Sequence, residues 1–481
     1  MPLWGRGAID SNLNQLQAFR PYYSFSSAQP DRYVVDGRSR LVLVGARELN
    51  PDGLPSRSWS STHLQFTHGY GAAIALAAEA TPDGAPALVD PAQLAVERPE
   101  IYFGQRTPSY AVVKTSQEEQ DATGRYAAPG VALGGGLSRF AFALALRDPS
   151  LLFSQAVGGE SEVLFHRQVL DRVTRLAPFL QPDPEPYLVV ADGRLVWVVD
   201  AYTTTSDYPG VARRPFGPDG GRVSASSNYV RNSVKATVDA YDGSVRLFVA
   251  DPDDPLIRAE AAAYPGLLEP LEQMPAGVRS HLRYPRLLLA TQADVLTRFH
   301  VQDAVSFARG EDAWRLPEDS FSARLDSGPT YALLRSGGSP ADGELVLEQP
   351  FSPFDPSGIQ GNLVALLVAR GPGSQPAGVV LQRYSRESPT PGPLDVDRRI
   401  EQQPEIAGQF ADWQRGGARV LRGKALPIPF GPQPLYAEAI YLQRGIVPVL
   451  PQLQRVVLAV DNRIVMEPTL AAALERLRAG Q

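Results

Sequence analysis

A short segment between Trp59 and Gly71 concentrates side chains that could do chemistry. His63 and His68 are five residues apart, and Tyr70 follows in a Gly-Tyr-Gly turn. Such a segment could form a binding loop that presents two imidazoles and a phenol. The alternative is a helix end and a tight glycine turn, with both histidines held by hydrogen bonds. We favour this structural interpretation, because the spacing does not suit two metal ligands on one helix face and the glutamate of a zinc-protease helix is missing.

A second polar segment, residues 200–209, follows a predicted strand. Asp200, Tyr202 and Asp207, with hydroxyl side chains between them, could bind a sugar or a peptide at the strand end. Cross-strand packing of threonines and a local aspartate turn explain the same residues equally well. These three residues, together with His63, His68 and Tyr70, are therefore the candidate binding residues. No catalytic residue is assigned.

Several kinds of site are excluded or disfavoured by residue type. The chain has no Cys, which excludes disulfides, thiolate metal sites and a cysteine nucleophile. Its five His show no ligand spacing, so we expect no tightly bound transition metal and no cofactor. Asp254 with the following Pro255 is typical of a helix start rather than of a calcium loop. Paired carboxylates of a glycoside hydrolase are defined in space, so the sequence leaves them open.

Composition describes an ordinary globular protein of 481 residues with a formal net charge of −6. This charge argues against nucleic acid as a partner. The longest apolar runs are Ala72–Ala78, Phe140–Leu146 and Leu363–Ala369, each far shorter than the roughly 20 residues that cross a bilayer. The first residues do not resemble a signal peptide.

Turn signals between apolar runs predict antiparallel strands. Asp192-Gly193 separates 187–191 from 194–200, Asp242-Gly243 separates 233–241 from 244–250, and Asp461-Asn462 separates 455–460 from 463–466. Such dipeptides supply the positive φ angles that two-residue hairpin turns require.

Helical periodicity is less frequent than these strand patterns. It predicts helices over residues 162–177, 285–299, 404–415 and 469–478. The sequence therefore predicts an α+β fold, with mainly antiparallel sheets and flanking helices in two domains. Residues 1–308 are expected to form the first domain, 309–329 a linker and 330–481 the second domain.

A series of motifs along the chain resembles a known family. They include Thr67-His68-Gly69-Tyr70-Gly71, Arg98–Gly104, Phe165-His166-Arg167, Pro186–Arg194, Asn228–Val234 and His281–Pro285. The chain is similar over nearly its whole length to the Uncharacterised Protein Family 0182 of large bacterial integral membrane proteins. The resemblance implies an extracytoplasmic region that follows several transmembrane helices. We expect this chain to be a fragment, the alternatives being a separately encoded membrane half or a soluble paralogue.

The resemblance implies a place for the chain but no activity. It implies the extracytoplasmic face of the cell membrane, with a membrane-embedded segment of the same or a neighbouring protein as partner and a cell-envelope ligand as a further candidate. A binding or scaffolding module fits the lack of a catalytic motif. The alternative is an envelope hydrolase acting on a polysaccharide or peptide. An apolar surface for the partner is expected within Trp4–Phe25.

Overall fold

The computed structural model describes residues 2–90, 93, 95–107, 109–216, 226–317, 328–334, 342–355, 361–372, 378–385, 387, 389–429, 433–445 and 450–479.

The hairpin turns form at the positions where the sequence predicts them. Asp192 and Gly193 both have positive φ, and Ala191 pairs with Arg194 across the turn. Val460 pairs with Arg463 in the same way.

The turn at Asp242-Gly243 is wider than the predicted two residues. Pairing there ends at Val238 and Val245. The reason is that the Asp239 carboxylate accepts the backbone N–H groups of Tyr241 (2.9 Å) and Asp242 (3.0 Å), which holds a longer loop.

The first part of the chain forms a small antiparallel sheet behind helix α1 (Arg6–Leu16). Its strands run in the order β1-β3-β5-β6, with β2 also paired to β3: β1 (Tyr23–Phe25), β2 (Gln29–Val35), β3 (Arg38–Leu49), β5 (Ala72–Ala80) and β6 (Pro86–Leu88). A two-stranded ladder joins β4 (Gly69–Tyr70) to β7 (Glu100–Ile101). A short helical turn with wide hydrogen bonding covers Ser61–Gln65.

Two further sheets follow. The smaller has the order β8-β10-β9 and carries two helices: β8 (Ala111–Val113), β9 (Val131–Ala132), β10 (Glu162–Leu164), α2 (Gly136–Ala145) and α3 (Ser150–Phe153). The larger has the order β11-β13-β14-β15-β16, with β12 also paired to β13: β11 (Gln181–Pro182), β12 (Tyr187–Ala191), β13 (Arg194–Thr205), β14 (Tyr229–Asp239), β15 (Val245–Val249) and β16 (Leu268–Pro270). Only the pairing of β15 with β16 is parallel among its described strands.

Helices connect this sheet to the rest of the chain. They are α4 (Val169–Leu176), α5 (Pro255–Ala263), α6 (Ala276–Arg279), α7 (Arg286–Phe299) and α8 (Ala304–Arg309). Asp254 caps α5 as predicted, because its side chain accepts the Leu256 N–H at 3.1 Å.

The predicted helix over residues 162–177 is wrong in its first half. Residues 162–164 form β10, paired on both edges, and His166 has a positive φ that interrupts a helix. The helix α4 begins only at Val169, where the Gln168 side chain caps it. Strand pairing with partners distant in sequence outweighed the helical periodicity here.

The last part of the chain contains two five-stranded antiparallel sheets. The first has the order β17-β19-β20-β21, with β18 on β19: β17 (Trp314–Arg315), β18 (Thr330–Leu334), β19 (Glu344–Pro353), β20 (Ala365–Arg370) and β21 (Gly378–Arg383). The second has the order β22-β24-β25-β26, with β23 on β24: β22 (Ala418–Arg422), β23 (Leu426–Ile428), β24 (Leu435–Arg444), β25 (Gln452–Val460) and β26 (Arg463–Glu467). Their helices are α9 (Pro393–Gln402), α10 (Pro404–Arg415) and α11 (Leu470–Ala479).

This architecture confirms the α+β prediction with mainly antiparallel sheets. The division into 1–308 and 330–481 stays a prediction, since residues 318–327 lie outside the described residues. One hydrophobic cluster contains side chains from both ranges, including Trp4, Leu43, Leu347 and Leu458. Among the described residues, no helix has the length and apolar character needed to span a membrane.

Trp4 connects the beginning of the chain to its last sheet. Its ring lies 5.3 Å from that of Tyr441, and its indole N–H donates to the Glu79 carbonyl at 2.7 Å. The Tyr441 hydroxyl donates to the Leu3 carbonyl. Residues from β5 and β24 therefore hold the start of the chain in the core.

We predict that Trp4→Ala lowers the free energy of unfolding by about 3–5 kcal/mol, because it leaves a cavity and removes these contacts. The matched control is Phe19→Ala, since the Phe19 ring is 76% exposed. Denaturant unfolding of the full chain measures both. Equal stability of the two variants would contradict the assigned packing of Trp4.

Candidate functional site

His63 is held by Tyr110. The two rings stack with centroids 4.0 Å apart, and His63 Nδ1 lies 2.8 Å from the Tyr110 carbonyl oxygen. Because a carbonyl oxygen only accepts, Nδ1 carries the proton and donates. Burial lowers the pKa of His63, which favours the neutral ring.

His68 is buried deeper, at the start of β4. Its Nδ1 donates to the Gly69 carbonyl at 2.8 Å, and its ring lies 4.9 Å from that of Tyr102. Its Nε2 has no hydrogen-bond partner among the described residues. Burial lowers the pKa of His68 as well. Tyr70 lies nearby, half-buried, with its ring 5.3 Å from the Arg47 guanidinium carbon.

Three residues that the sequence analysis did not select as site residues surround this segment: Tyr102 and Arg167, which are buried, and Glu119, which is half-buried. The Arg167 guanidinium donates to the carbonyls of Tyr102 (2.7 Å) and Thr67. Glu119 accepts from the Tyr102 hydroxyl at 2.9 Å and from the Thr67 hydroxyl. Burial raises the pKa of Glu119. The bonded residues are 17 to 100 residues apart in the chain, so no local spacing could have indicated them.

Glu48 of β3 belongs to the same buried region, which we name the His68 cluster: Glu48, Thr67, His68, Tyr102, Glu119 and Arg167. One Glu48 oxygen accepts the Arg106 N–H at 2.8 Å, and the other has no partner among the described residues. A Cβ at Gly104 would come within 2.1 Å of a Glu48 oxygen, so any other residue there would force the Glu48 carboxyl group to move. Burial raises the pKa of Glu48 to about 7, partly opposed by the Arg106 N–H.

Asp200 and Tyr202 lie in a different buried network. Asp200 forms an ion pair with Lys235 of β14, and both side chains are almost fully buried. The Tyr202 hydroxyl donates to Asp183. Burial, and then the nearby Asp200 charge, raise the pKa of Asp183 to about 6. Asp207 is exposed and pairs with Arg213 at 3.1 Å, outside this network.

The structure does not bring the two candidate groups into one cleft. Side chains alternate along β13: Trp197 and Val199 pack on the side of Phe103, whereas Val198 packs on the opposite side. Asp200 shares the face of Val198, because both have even positions in the strand. The His68 cluster includes Tyr102, which packs with Phe103 on the first side of the sheet. The cluster therefore lies across the sheet from Asp200.

The six candidate binding residues from the sequence analysis are limited in their chemistry by the partners that they already have. Among the described residues, no three His, Asp or Glu side chains are grouped in a way that could hold a metal ion. The hydrogen bonds of His63, the ion pair of Asp200 and the Tyr202–Asp183 contact each have a structural explanation. Binding by any of the six stays a prediction.

The buried ion pair gives a stability prediction. Lys235→Met leaves Asp200 buried without its cation, so we expect a loss of about 3–5 kcal/mol in the free energy of unfolding. The double variant Lys235→Met/Asp200→Leu should recover most of that loss. Arg213→Met is the control, because it breaks the exposed pair with Asp207 and should cost less than about 1 kcal/mol. A double variant no more stable than Lys235→Met would contradict the uncompensated-charge explanation.

Glu48 gives a pH prediction. The folded protein holds the Glu48 proton more tightly than the unfolded chain, since the pKa is raised from 4.5 to about 7. The resulting contribution to stability is present below about pH 4.5 and is lost as pH rises through about 7, amounting to at most about 3 kcal/mol. Glu48→Gln, which cannot ionise, should therefore lose less stability than the wild type between these pH values.

Thermal unfolding at several pH values measures this difference, with Glu97→Gln as the control at an exposed carboxylate. Parallel pH profiles for the wild type and Glu48→Gln would refute the role given to Glu48.

Comparison with known proteins places the chain in a family. The model of the Uncharacterised protein family (UPF0182) matches residues 1–413. A UPF0182 protein of Pelotomaculum thermopropionicum is 37% identical over 493 residues, covering 99% of this chain and 52% of that protein. UPF0182 proteins of Moorella thermoacetica and Solibacter usitatus are each 38% identical, covering 98% and 99% of this chain and 53% and 54% of their own lengths.

The chain thus spans about half the length of these curated relatives. No solved structure matches it. The family model covers most of the sequence, and the relatives align with nearly all of it. On both grounds the chain belongs to the Uncharacterised protein family UPF0182.

Proposed function

We propose that this chain is the extracytoplasmic binding module of a membrane protein and acts by docking rather than by catalysis. The observation that carries the proposal is an exposed apolar face on helix α2. Leu137, Phe140 and Leu144 are 87%, 56% and 71% exposed. Their spacing of three and four residues puts them on one side of the helix. Phe153 on the neighbouring helix α3 is 80% exposed.

The opposite side of α2 is anchored in the fold. Ala143 is buried in a cluster with Leu133, Leu151 and Val163. Arg139 donates to the carbonyls of Leu151, Val157 and Ser154. The apolar face therefore belongs to a fixed helix rather than to a loose end. Exposed groups of large apolar side chains typically mark interaction surfaces.

The expected surface within Trp4–Phe25 is mostly internal. Trp4, Leu13 and Tyr23 are buried in the protein's own core, while Leu16 and Phe19 are exposed. The face of α2 is the larger candidate. We propose as its partner a membrane-embedded segment of the same or a neighbouring protein. The relatives are about twice as long as this chain, and this additional length supports the proposal of such a segment.

The hydrolase alternative has weaker support. An acyl or glycosyl hydrolase needs reacting groups that meet at an accessible cleft. Asp200 is bound to Lys235, and Asp183 accepts from Tyr202 and from the Glu185 N–H at 2.8 Å. These carboxylates are buried and already hydrogen-bonded or ion-paired, so they are poor candidates for the reacting groups of a hydrolase. The binding-module proposal therefore has the stronger support among the described residues.

The docking proposal predicts a site-specific contact in cells. A photo-crosslinking amino acid at Leu144 should capture a membrane-embedded segment, whereas the same group at the exposed control position Val34 should not. The triple variant Leu137→Ser/Phe140→Ser/Leu144→Ser should remove the contact while changing stability by less than about 1 kcal/mol, because these side chains are exposed.

Crosslinking measures the contact between α2 and the membrane-embedded segment. Membrane fractionation measures whether the chain is attached to the membrane, and protease treatment of intact cells measures whether it lies on the extracytoplasmic face. A chain found only in the cytosol, or equal capture from both positions, would refute the proposal.

A further inference from the structure

A cavity of about 170 Å³ lies in the C-terminal half of the chain, separate from the six candidate residues and from α2. It is bounded by β18, β19, the start of α9 and the connection from β22 to β23. Its walls are largely apolar, formed by side chains such as Leu316, Ala332, Leu394, Leu426 and Ile428. A cavity of roughly 150 Å³ with such walls accommodates a benzene-sized molecule.

One buried carboxyl group interrupts this apolar lining. Glu348 lies on β19 with only 8% of its surface exposed. Its neighbours Leu347 and Phe351 face the central core, while Glu348 lines the cavity. The Glu348 Oε1 atom has no hydrogen-bond partner among the described residues. A buried carboxyl group with an unpartnered oxygen is costly, and a ligand that donates to the carboxyl group from the cavity offsets part of that cost.

Among the described residues, the charged and titratable groups around Glu348 include Lys424 and Tyr384. Lys424 also lines the cavity, and its ammonium donates to the Gly328 carbonyl at 2.6 Å. Burial raises the pKa of Glu348 to about 7. Burial and then Glu348 raise the pKa of Tyr384.

We propose that this cavity is a binding site for a small organic ammonium ion with an apolar body, whose ammonium group donates to Glu348 while the body packs against the apolar walls. A carboxylate only accepts hydrogen bonds, so a charged donor complements it better than a neutral one. The walls exclude water from the ion pair and strengthen it. This small-molecule site is independent of the proposed docking face on α2.

The proposal has a defined pH dependence. The ammonium ligand binds the ionised carboxylate, so binding releases the Glu348 proton and tightens as pH rises. With a pKa of about 7, Glu348 is about one-tenth ionised at pH 6 and about nine-tenths ionised at pH 8, so the affinity should rise about tenfold between these values. A neutral ligand that accepts from protonated Glu348 would show the opposite trend.

Isothermal titration of the full chain with benzylamine tests the proposal, with benzyl alcohol as the neutral probe of the same shape. We expect benzylamine to bind at least about tenfold more tightly than benzyl alcohol at pH 8, which corresponds to one charged hydrogen bond. Glu348→Gln should abolish that preference. Ala332→Leu, which fills the cavity, should weaken the binding of both probes.

Glu344→Gln is the matched control, because Glu344 lies on the same strand but pairs with Arg370 at 3.2 Å and does not line the cavity. It should leave the preference for benzylamine unchanged. Circular dichroism confirms that each variant is folded. Equal affinity for the two probes at pH 8, a preference that survives Glu348→Gln, or affinity for benzylamine that falls with rising pH would overturn the proposal.

Discussion

Arg283 lies where three of the sheets meet, and their arrangement depends on how its buried charge is satisfied. Its guanidinium donates to the Pro30 carbonyl at 2.6 Å and to the Gln29 side chain at 3.0 Å, both on β2. It also lies 4.0 Å from the ring centre of Tyr187 on β12 and 4.9 Å from that of Tyr331 on β18. A guanidinium removed from water requires such partners. A shift of one sheet against the others would break some of these contacts and leave more of the buried guanidinium without a partner.

The other buried ionisable groups divide into two kinds. Arg167 and the pair of Lys235 with Asp200 have their hydrogen-bonding capacity directed to carbonyls or to an opposite charge. They hold strands together and leave little capacity for a ligand. Glu48 and Glu348 each keep an oxygen without a partner among the described residues. Of these two, Glu348 lines the cavity described above, which is why we propose it, rather than the more conspicuous histidines, as the place where a small molecule binds.

The surface is as informative as the interior. Folding a helix with one buried side normally places polar residues on the other, yet α2 carries leucine and phenylalanine outside. No contact within the described chain explains this composition. A partner that covers these side chains would stabilise the complex by a free energy of roughly 25 cal/mol per Å² of apolar surface buried. The matched relatives are about twice as long as this chain, and their additional length is where the proposed partner is to be sought.

The sequence by itself determined the elements that depend on neighbouring residues. Asp192-Gly193 fixed a two-residue turn through its positive φ angles, and the apolar stripe of residues 404–415 fixed a helix with its predicted ends. Only the tertiary structure decided that residues 162–164 form a strand, because their pairing partners come from elsewhere in the chain.

The candidate sites followed the same rule. Residue type and spacing drew attention to His63, His68 and Asp200, but their roles were set by Tyr110, Gly69 and Lys235. Except for Gly69, these partners lie tens of residues away in sequence. Whether a polar side chain is satisfied or left open to a ligand depends on which distant backbone and side-chain groups the packing of sheets brings within hydrogen-bond distance. Asp200 is satisfied by Lys235, whereas Glu348 keeps an unpartnered oxygen. The residues next to each of them in the sequence do not indicate this difference.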